Sequence, residues 1–226
     1  MQSAALLHLL QLASPSLPIG AYSYSQGLES AIEQGLVRNE NSARTWITTY
    51  LHEIVATFEA PVLWRLIDAF QRRDQEQVRY WNSVFIAARD TAEFRAESIQ
   101  MGYSLGKLVG ELRIADEQLM AILLAQSELP LPTSLACAAV ALEVPAPSVV
   151  LGMLFSWAEN QALVCVKSIP LGQVAGQRLL LSLRPELEAA AQTAMSLADD
   201  ELSNWAPGLS LLSMQHEVQY SRLYRS

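Results

Sequence analysis

Apolar residues recur along this chain at three- and four-residue steps almost from end to end, and the two-residue alternation of a half-buried strand is nearly absent. Leu6, Leu7, Leu9 and Leu10 open a short helix that stops at Ser14-Pro15-Ser16-Leu17-Pro18. A second short helix follows Tyr24 and ends at Gly35, a residue suited to the left-handed position after a helix. A longer one starts near Ser42, with Trp46, Tyr50 and Ile54 on one face. Pro61 should interrupt it, because proline lacks an N–H and clashes with the preceding turn, and a separate helix then runs to about Arg72.

Asp74 is placed to cap the next helix, whose core face carries Val78, Trp81, Phe85 and Ala88. Met101, Leu105, Leu108 and Leu112 mark a packing seam on another. Asp116 caps a helix that Pro130 and Pro132 should end, and from Thr133 to Val166 two helices are apolar nearly all round, as expected at the centre of a bundle. Ser168 to Gly172 is a turn, two further helices run to about Leu197, and the stretch after Asp199 reads as looser. The pattern predicts an all-α fold: one helical bundle of roughly eight to ten helices spanning residues 1–226, with no linker and no repeat.

Charge narrows the possible functions. The chain is 51% hydrophobic and only 17% charged, where about a quarter is usual. So little charge implies a large core or apolar surface that a partner covers, hence a homodimer or a tighter hetero-complex. The formal charge is −8 with only two lysines, Lys107 and Lys167, so the cationic face that nucleic-acid binding requires is missing. Val149 to Val166 is long enough to span a bilayer, but Glu159 near its middle favours a buried core helix over a membrane span. Cys137 and Cys165 sit in apolar stretches as reduced thiols, which suits the cytoplasm, as does a start without a basic leader.

Signatures of catalysis are scarce. His8, His52 and His216 are far apart, so no metal site can be written from them locally, and each reads as a surface or capped residue. Gly102 to Lys107 looks like a phosphate loop but is one residue short and lies within a helical seam. Glu93 and Glu97 flank Arg95 as on a solvated helix face. A bundle this apolar could still enclose a ligand in a pocket of dispersed residues, as an enzyme or an apolar-ligand carrier would.

Two segments stand apart. Ser14 to Glu29 is uncharged until its last residue, with Tyr22 and Tyr24 held between prolines and glycines. It serves either as an interface or as a buried loop with its hydroxyls satisfied internally. His216 to Ser226 combines aromatics with Arg222 and Arg225, as suits a docked tail spanning about 214–226. Tyr220 and Tyr224, one helical turn apart, would form a contact face and leave Arg222 free for a partner.

Together these segments resemble the UreF family of urease accessory proteins. Leu10 to Pro15, Pro18 to Ser25 and Gly27-Leu28-Glu29 look like its N-terminal signature, and His216-Glu217 with Gln219 to Ser226 like its closing one. Trp81-Asn82, Thr91 to Arg95, Gln100 to Gly102 and Val166 to Gln173 fall between them in matching order. Tyr224 stands where phenylalanine is common and Phe94 where leucine is.

The resemblance implies an all-helical, dimeric, cytoplasmic protein with no catalytic residues and no cofactor of its own. It would join the accessory protein UreD (also UreH) and recruit the GTPase UreG for nickel delivery to apo-urease. Carried over by position, Tyr22, Tyr24, Glu29, Lys167 and Arg222 are associated with partner contact and GTPase coupling. Tyr220 and Tyr224 are added from the reading of the tail. Arg222 or Lys167 would act either by positioning the GTPase or by entering its nucleotide site.

Overall fold

The structure, a computed structural model, describes residues 2–226. Among them there is no strand. The helices are α1 (Ser3–Leu12), α2 (Leu28–Glu33), α3 (Glu40–Tyr50), α4 (Ala60–Gln71), α5 (Gln75–Ala87), α6 (Ala92–Leu112), α7 (Glu117–Leu124), α8 (Leu131–Ala141), α9 (Ala146–Ser168), α10 (Gln173–Ser182), α11 (Arg184–Ser196) and α12 (Pro207–Glu217). Because α3 and α4 belong to one rod, the described residues form eleven helices, slightly more than the eight to ten expected.

That rod corrects the expected break at Pro61. Leu51–Glu59 winds as a π-helix and carries the chain from α3 into α4, placing Pro61 in the first turn of α4. In an α register the Pro61 N–H would bond to the Thr57 carbonyl. Proline has none to give, and the Ser203 N–H takes that carbonyl instead at 3.1 Å. Thr57 returns a bond from its hydroxyl to the Ser203 carbonyl at 2.7 Å. The proline thus frees an acceptor that fastens the segment leading into α12.

Prolines further along the chain also open helices instead of ending them. α7 ends at Leu124, and Pro130 and Pro132 lie at the start of α8, where a missing N–H is harmless. Pro207 does the same for α12, in the stretch expected to be loose. By contrast Asp74 and Asp116 cap α5 and α7 as expected, and Gly35 has a φ of +70° after α2.

The core has two adjoining lobes. One gathers α3, the π-helix, α9, α10 and α11 around Ile47, Leu154 and Leu183. The other gathers α4 to α8 around Leu66, Phe70 and Leu123, and Met153 packs against both. α8 is buried along nearly its whole length. α9 is long and apolar enough to cross a membrane by composition, but in the fold it is a packed core helix with Leu151 and Phe155 left exposed. The α6 seam turns away from Leu112, which is exposed, and runs through Gly102 and Gly106. A Cβ on Gly102 would lie 2.0 Å from the Leu129 carbonyl oxygen, so the α6–α8 approach requires glycine there.

Candidate functional site

The N-terminal loop and the C-terminal tail, some 200 residues apart in sequence, lie against each other. The Arg225 N–H donates to the Ser23 carbonyl at 2.8 Å, and the Ser226 carbonyl accepts from the Ser25 and Gln26 N–H groups at 2.5 and 3.2 Å. The Ser25 hydroxyl adds a third donor at 2.7 Å. α9 supports the loop from below: Asn160 Nδ2 donates to the Tyr24 carbonyl at 2.8 Å, and Gln161 Nε2 to the Ser25 carbonyl at 3.3 Å.

Glu29 is the centre of the clasp. Gly27, at φ +80°, starts α2 so that Glu29 falls in its first turn, turned inward. Its buried carboxylate accepts the N–H groups of Leu223 and Tyr224 at 2.7 and 3.0 Å. It also meets His216 Nε2 at 3.0 Å. The other imidazole nitrogen, Nδ1, faces Glu93 at 3.0 Å, and Arg222 reaches the same carboxylate at 3.2 Å. Two carboxylates thus face one imidazole and one guanidinium. Burial pushes the Glu93 carboxyl up, against the opposing pull of His216 and Arg222.

A second buried carboxylate, Glu97 on the next turn of α6, accepts Gln26 Nε2 at 2.7 Å and the Ser226 hydroxyl. Burial raises it to about 7. Gln26 in turn accepts Trp157 Nε1 at 2.8 Å, so the loop, tail, α6 and α9 share one polar network. Glu93 and Glu97 are therefore not on a solvated face, and His216, fully buried, is not a surface histidine. Their partners lie at least 71 positions away, and no local pattern signals them.

The expected contact residues divide. Tyr24 and Glu29 are buried in the clasp, and Tyr22 donates to Glu159 at 2.5 Å. Burial raises both tyrosine hydroxyls above their usual range, with the Glu159 contact adding to it at Tyr22. Tyr224 is buried, its hydroxyl pushed up to about 12 by burial and then by Glu29. The Lys167 ammonium lies 5.7 Å from its ring centroid. Tyr220 is fully exposed, with Val218 and Leu223 also standing out in solvent. The expectation that Tyr220 and Tyr224 share a helical face is wrong: α12 ends at Glu217, and the tail beyond it is irregular because it spends its backbone donors on Glu29 and Ser23. Arg222 is paired with Glu93 but remains about two-fifths exposed.

Each imidazole nitrogen of His216 addresses a different carboxylate, and among the described residues no three acidic, histidine or cysteine side chains are arranged to hold one metal ion.

A family model described as UreF matches residues 37–184. The urease accessory protein UreF of Janthinobacterium sp. (strain Marseille) is 73% identical over 226 residues, covering all of both chains. The chain belongs to the UreF family. The UreF of Nitrosospira multiformis is 64% identical over 222 residues, covering 98% of each chain, and that of Nitrosococcus oceani 47% over 218, covering 96% of this chain and 97% of its own. The clasp of this UreF-family chain draws its loop and tail from outside residues 37–184, while the α6 and α9 side chains that hold them lie inside.

Proposed function

We propose that this chain is a non-catalytic urease accessory protein of the cytoplasm. It joins a UreD/UreH-type accessory protein and recruits the GTPase UreG, so that nickel can be inserted into apo-urease. The observation that carries this reading is the clasp: a buried polar network fixes a tail whose Val218, Tyr220 and Leu223 are exposed beside a half-exposed Arg222. A tail pinned at both ends with its apolar side chains outward has already lost most of its conformational freedom, which favours capture of a partner. Arg222 is assigned a positioning role in preference to insertion into a nucleotide site, because its guanidinium is already engaged by Glu93 within the clasp.

Self-association belongs to the same reading. α1 contains no aspartate, glutamate, lysine or arginine, yet Leu6, Leu7 and Leu10 are exposed. α9 runs beside it with Leu151 and Phe155 exposed, flanking the Gly152 against which Leu9 packs. In a chain of charge −8, an uncharged apolar face is where a second copy meets least repulsion.

Co-purification with UreG and a UreD-like protein, with and without the last dozen residues, tests the proposal. Loss of GTPase capture on truncation, with helicity retained, supports it. Undiminished capture contradicts it.

A further inference from the structure

Trp205 stands 81% exposed, whereas Trp81 and Trp157 are buried and Trp46 and Trp64 pack against the core. So large an apolar ring is mostly withdrawn from water in folded proteins. Its chain is not loose. The Ser203 N–H donates to the Thr57 carbonyl at 3.1 Å, and the Thr57 hydroxyl to the Ser203 carbonyl at 2.7 Å. Asn204 Nδ2 donates to the Ala88 carbonyl at 2.6 Å, and the Trp205 N–H to the Ser203 hydroxyl at 3.3 Å. Ala206 packs against the core, and Pro207 opens α12. The indole therefore points outward from a fixed backbone, and a partner covering it orders little else. Thr57 belongs to the π-helix, a rare geometry that recurs at functional sites, and its hydroxyl also bonds the Glu53 carbonyl.

The surroundings carry one sign of charge. The π-helix, residues 197–206, the α5–α6 connection and α12 together hold one arginine, Arg89, and no lysine. The Arg89 side chain is buried against Phe58 and Phe85 and paired with Glu59 at 2.7 Å. Glu53, Asp90, Asp200 and Glu201 are exposed. Among the described residues no cation pairs with any of these four, and Arg65 reaches only Asp199, at 2.6 Å. The cavity beside Asn204 and Ala206, about 10 Å³, admits no more than a water molecule, so this surface suits a macromolecule and not a small ligand.

We propose that Trp205 and the adjoining edge of the π-helix dock a basic segment of a protein partner, with an arginine laid on the indole in the field of Glu53, Asp90, Asp200 and Glu201. A guanidinium suits this better than an ammonium, because it is planar, stacks on aromatic rings and is more weakly hydrated. An apolar partner would bury carboxylates without compensation, and an acidic one would be repelled. The site uses neither Arg222 nor the tail, so it stands or falls apart from GTPase capture there.

The test uses the full chain labelled with 15N at its five tryptophan indoles, four of which serve as internal controls. The probe is a blocked nonapeptide of glycine, leucine and four arginines, titrated beside the same peptide with citrulline at every arginine. The arginine peptide should shift the Trp205 indole alone and saturably, with a dissociation constant about millimolar or tighter at low salt. Salt at about 0.5 M should weaken it. By anisotropy of the dye-labelled peptide, Trp205→Ala should bind about fivefold or more weakly while melting as wild type does. Glu53→Gln combined with Asp200→Asn should also weaken binding. The same loss of charge at the remote, exposed Glu76 and Glu117, both changed to glutamine, should weaken it less. Absence of a selective, saturable Trp205 shift overturns the proposal, as does equal binding of the citrulline peptide. Undiminished binding by folded Trp205→Ala, or equal losses from the near and remote charge pairs, also overturns it. A Trp205 shift that grows with protein concentration alone would give the surface to a second copy of the chain, and so contradict it.

Discussion

His216 Nε2 lies 3.0 Å from the Glu29 carboxylate, with the imidazole wholly out of solvent. The same carboxylate takes two tail N–H groups, so a single side chain joins α2, α12 and the last residues of the chain. Removing it leaves one nitrogen of a buried histidine and two backbone donors unmatched, a loss on the order of 3–5 kcal/mol. Glu29→Ala should therefore free residues 218–226 to rapid amide exchange and lower the melting temperature. Glu29→Gln, which keeps one acceptor oxygen, should retain part of the protection.

The raised Glu97 carboxyl gives the fold a pH dependence. The folded chain keeps a proton between an ordinary 4.5 and about 7 that the unfolded chain gives up, so stability falls as pH rises through that window. The gap corresponds to roughly 3 kcal/mol at most. Glu93 is shifted in the same direction, so wild type must be compared with a variant lacking only Glu97. Urea unfolding at pH 5 and pH 7.5 should show a smaller difference for Glu97→Gln than for wild type.

Two glycines on α6 should respond oppositely to alanine. At Gly102 the added methyl would lie 2.0 Å from one backbone atom and 2.4 Å from another, so Gly102→Ala should displace α8 and abolish cooperative unfolding or lower stability by more than about 3 kcal/mol. At Gly110 the nearest atom is the flexible Met120 methyl at 3.5 Å, so Gly110→Ala should gain up to about 1 kcal/mol in helix propensity. Thermal melts of the two variants separate the cases.

The tyrosines should also separate. Tyr24→Ala opens the buried clasp and should destabilise the chain by roughly 3–5 kcal/mol. Tyr220→Ala, at a fully exposed position, should leave the melting temperature unchanged and weaken capture of UreG by more than about 1 kcal/mol. Melting curves beside titration with the GTPase read both effects.

What could be read from the sequence was local. The caps Asp74 and Asp116, the stop at Gly35 and the helical class follow from residues within one turn of each other. Pro61 misled because its consequence depends on Ser203, which lies far along the chain and takes the carbonyl that proline leaves free. Pro130 misled because a proline opens one helix as readily as it closes another. In the clasp, Tyr22, Glu29 and Arg222 stood out as residues, but their partners Glu159, His216 and Glu93 did not. A glutamate on an amphipathic helix looks the same whether water or a buried histidine will face it. Only the return of the tail makes the difference.

The central claim is that the clasp holds Arg222 for the GTPase while Arg222 itself contributes little to the fold. Its ion pair with Glu93 is two-fifths exposed on the arginine side, and such pairs are worth about 0–1 kcal/mol. Lysine cannot copy the forked guanidinium, so Arg222→Lys should restore little of what Arg222→Ala loses. The direct measurement is pull-down of UreG by the purified wild type, Arg222→Ala and Arg222→Lys, alongside their melting temperatures and urease activity in cells. The account predicts unchanged melting with GTPase capture and urease activation lost in both variants. Full capture and full activity with Arg222→Ala would contradict it.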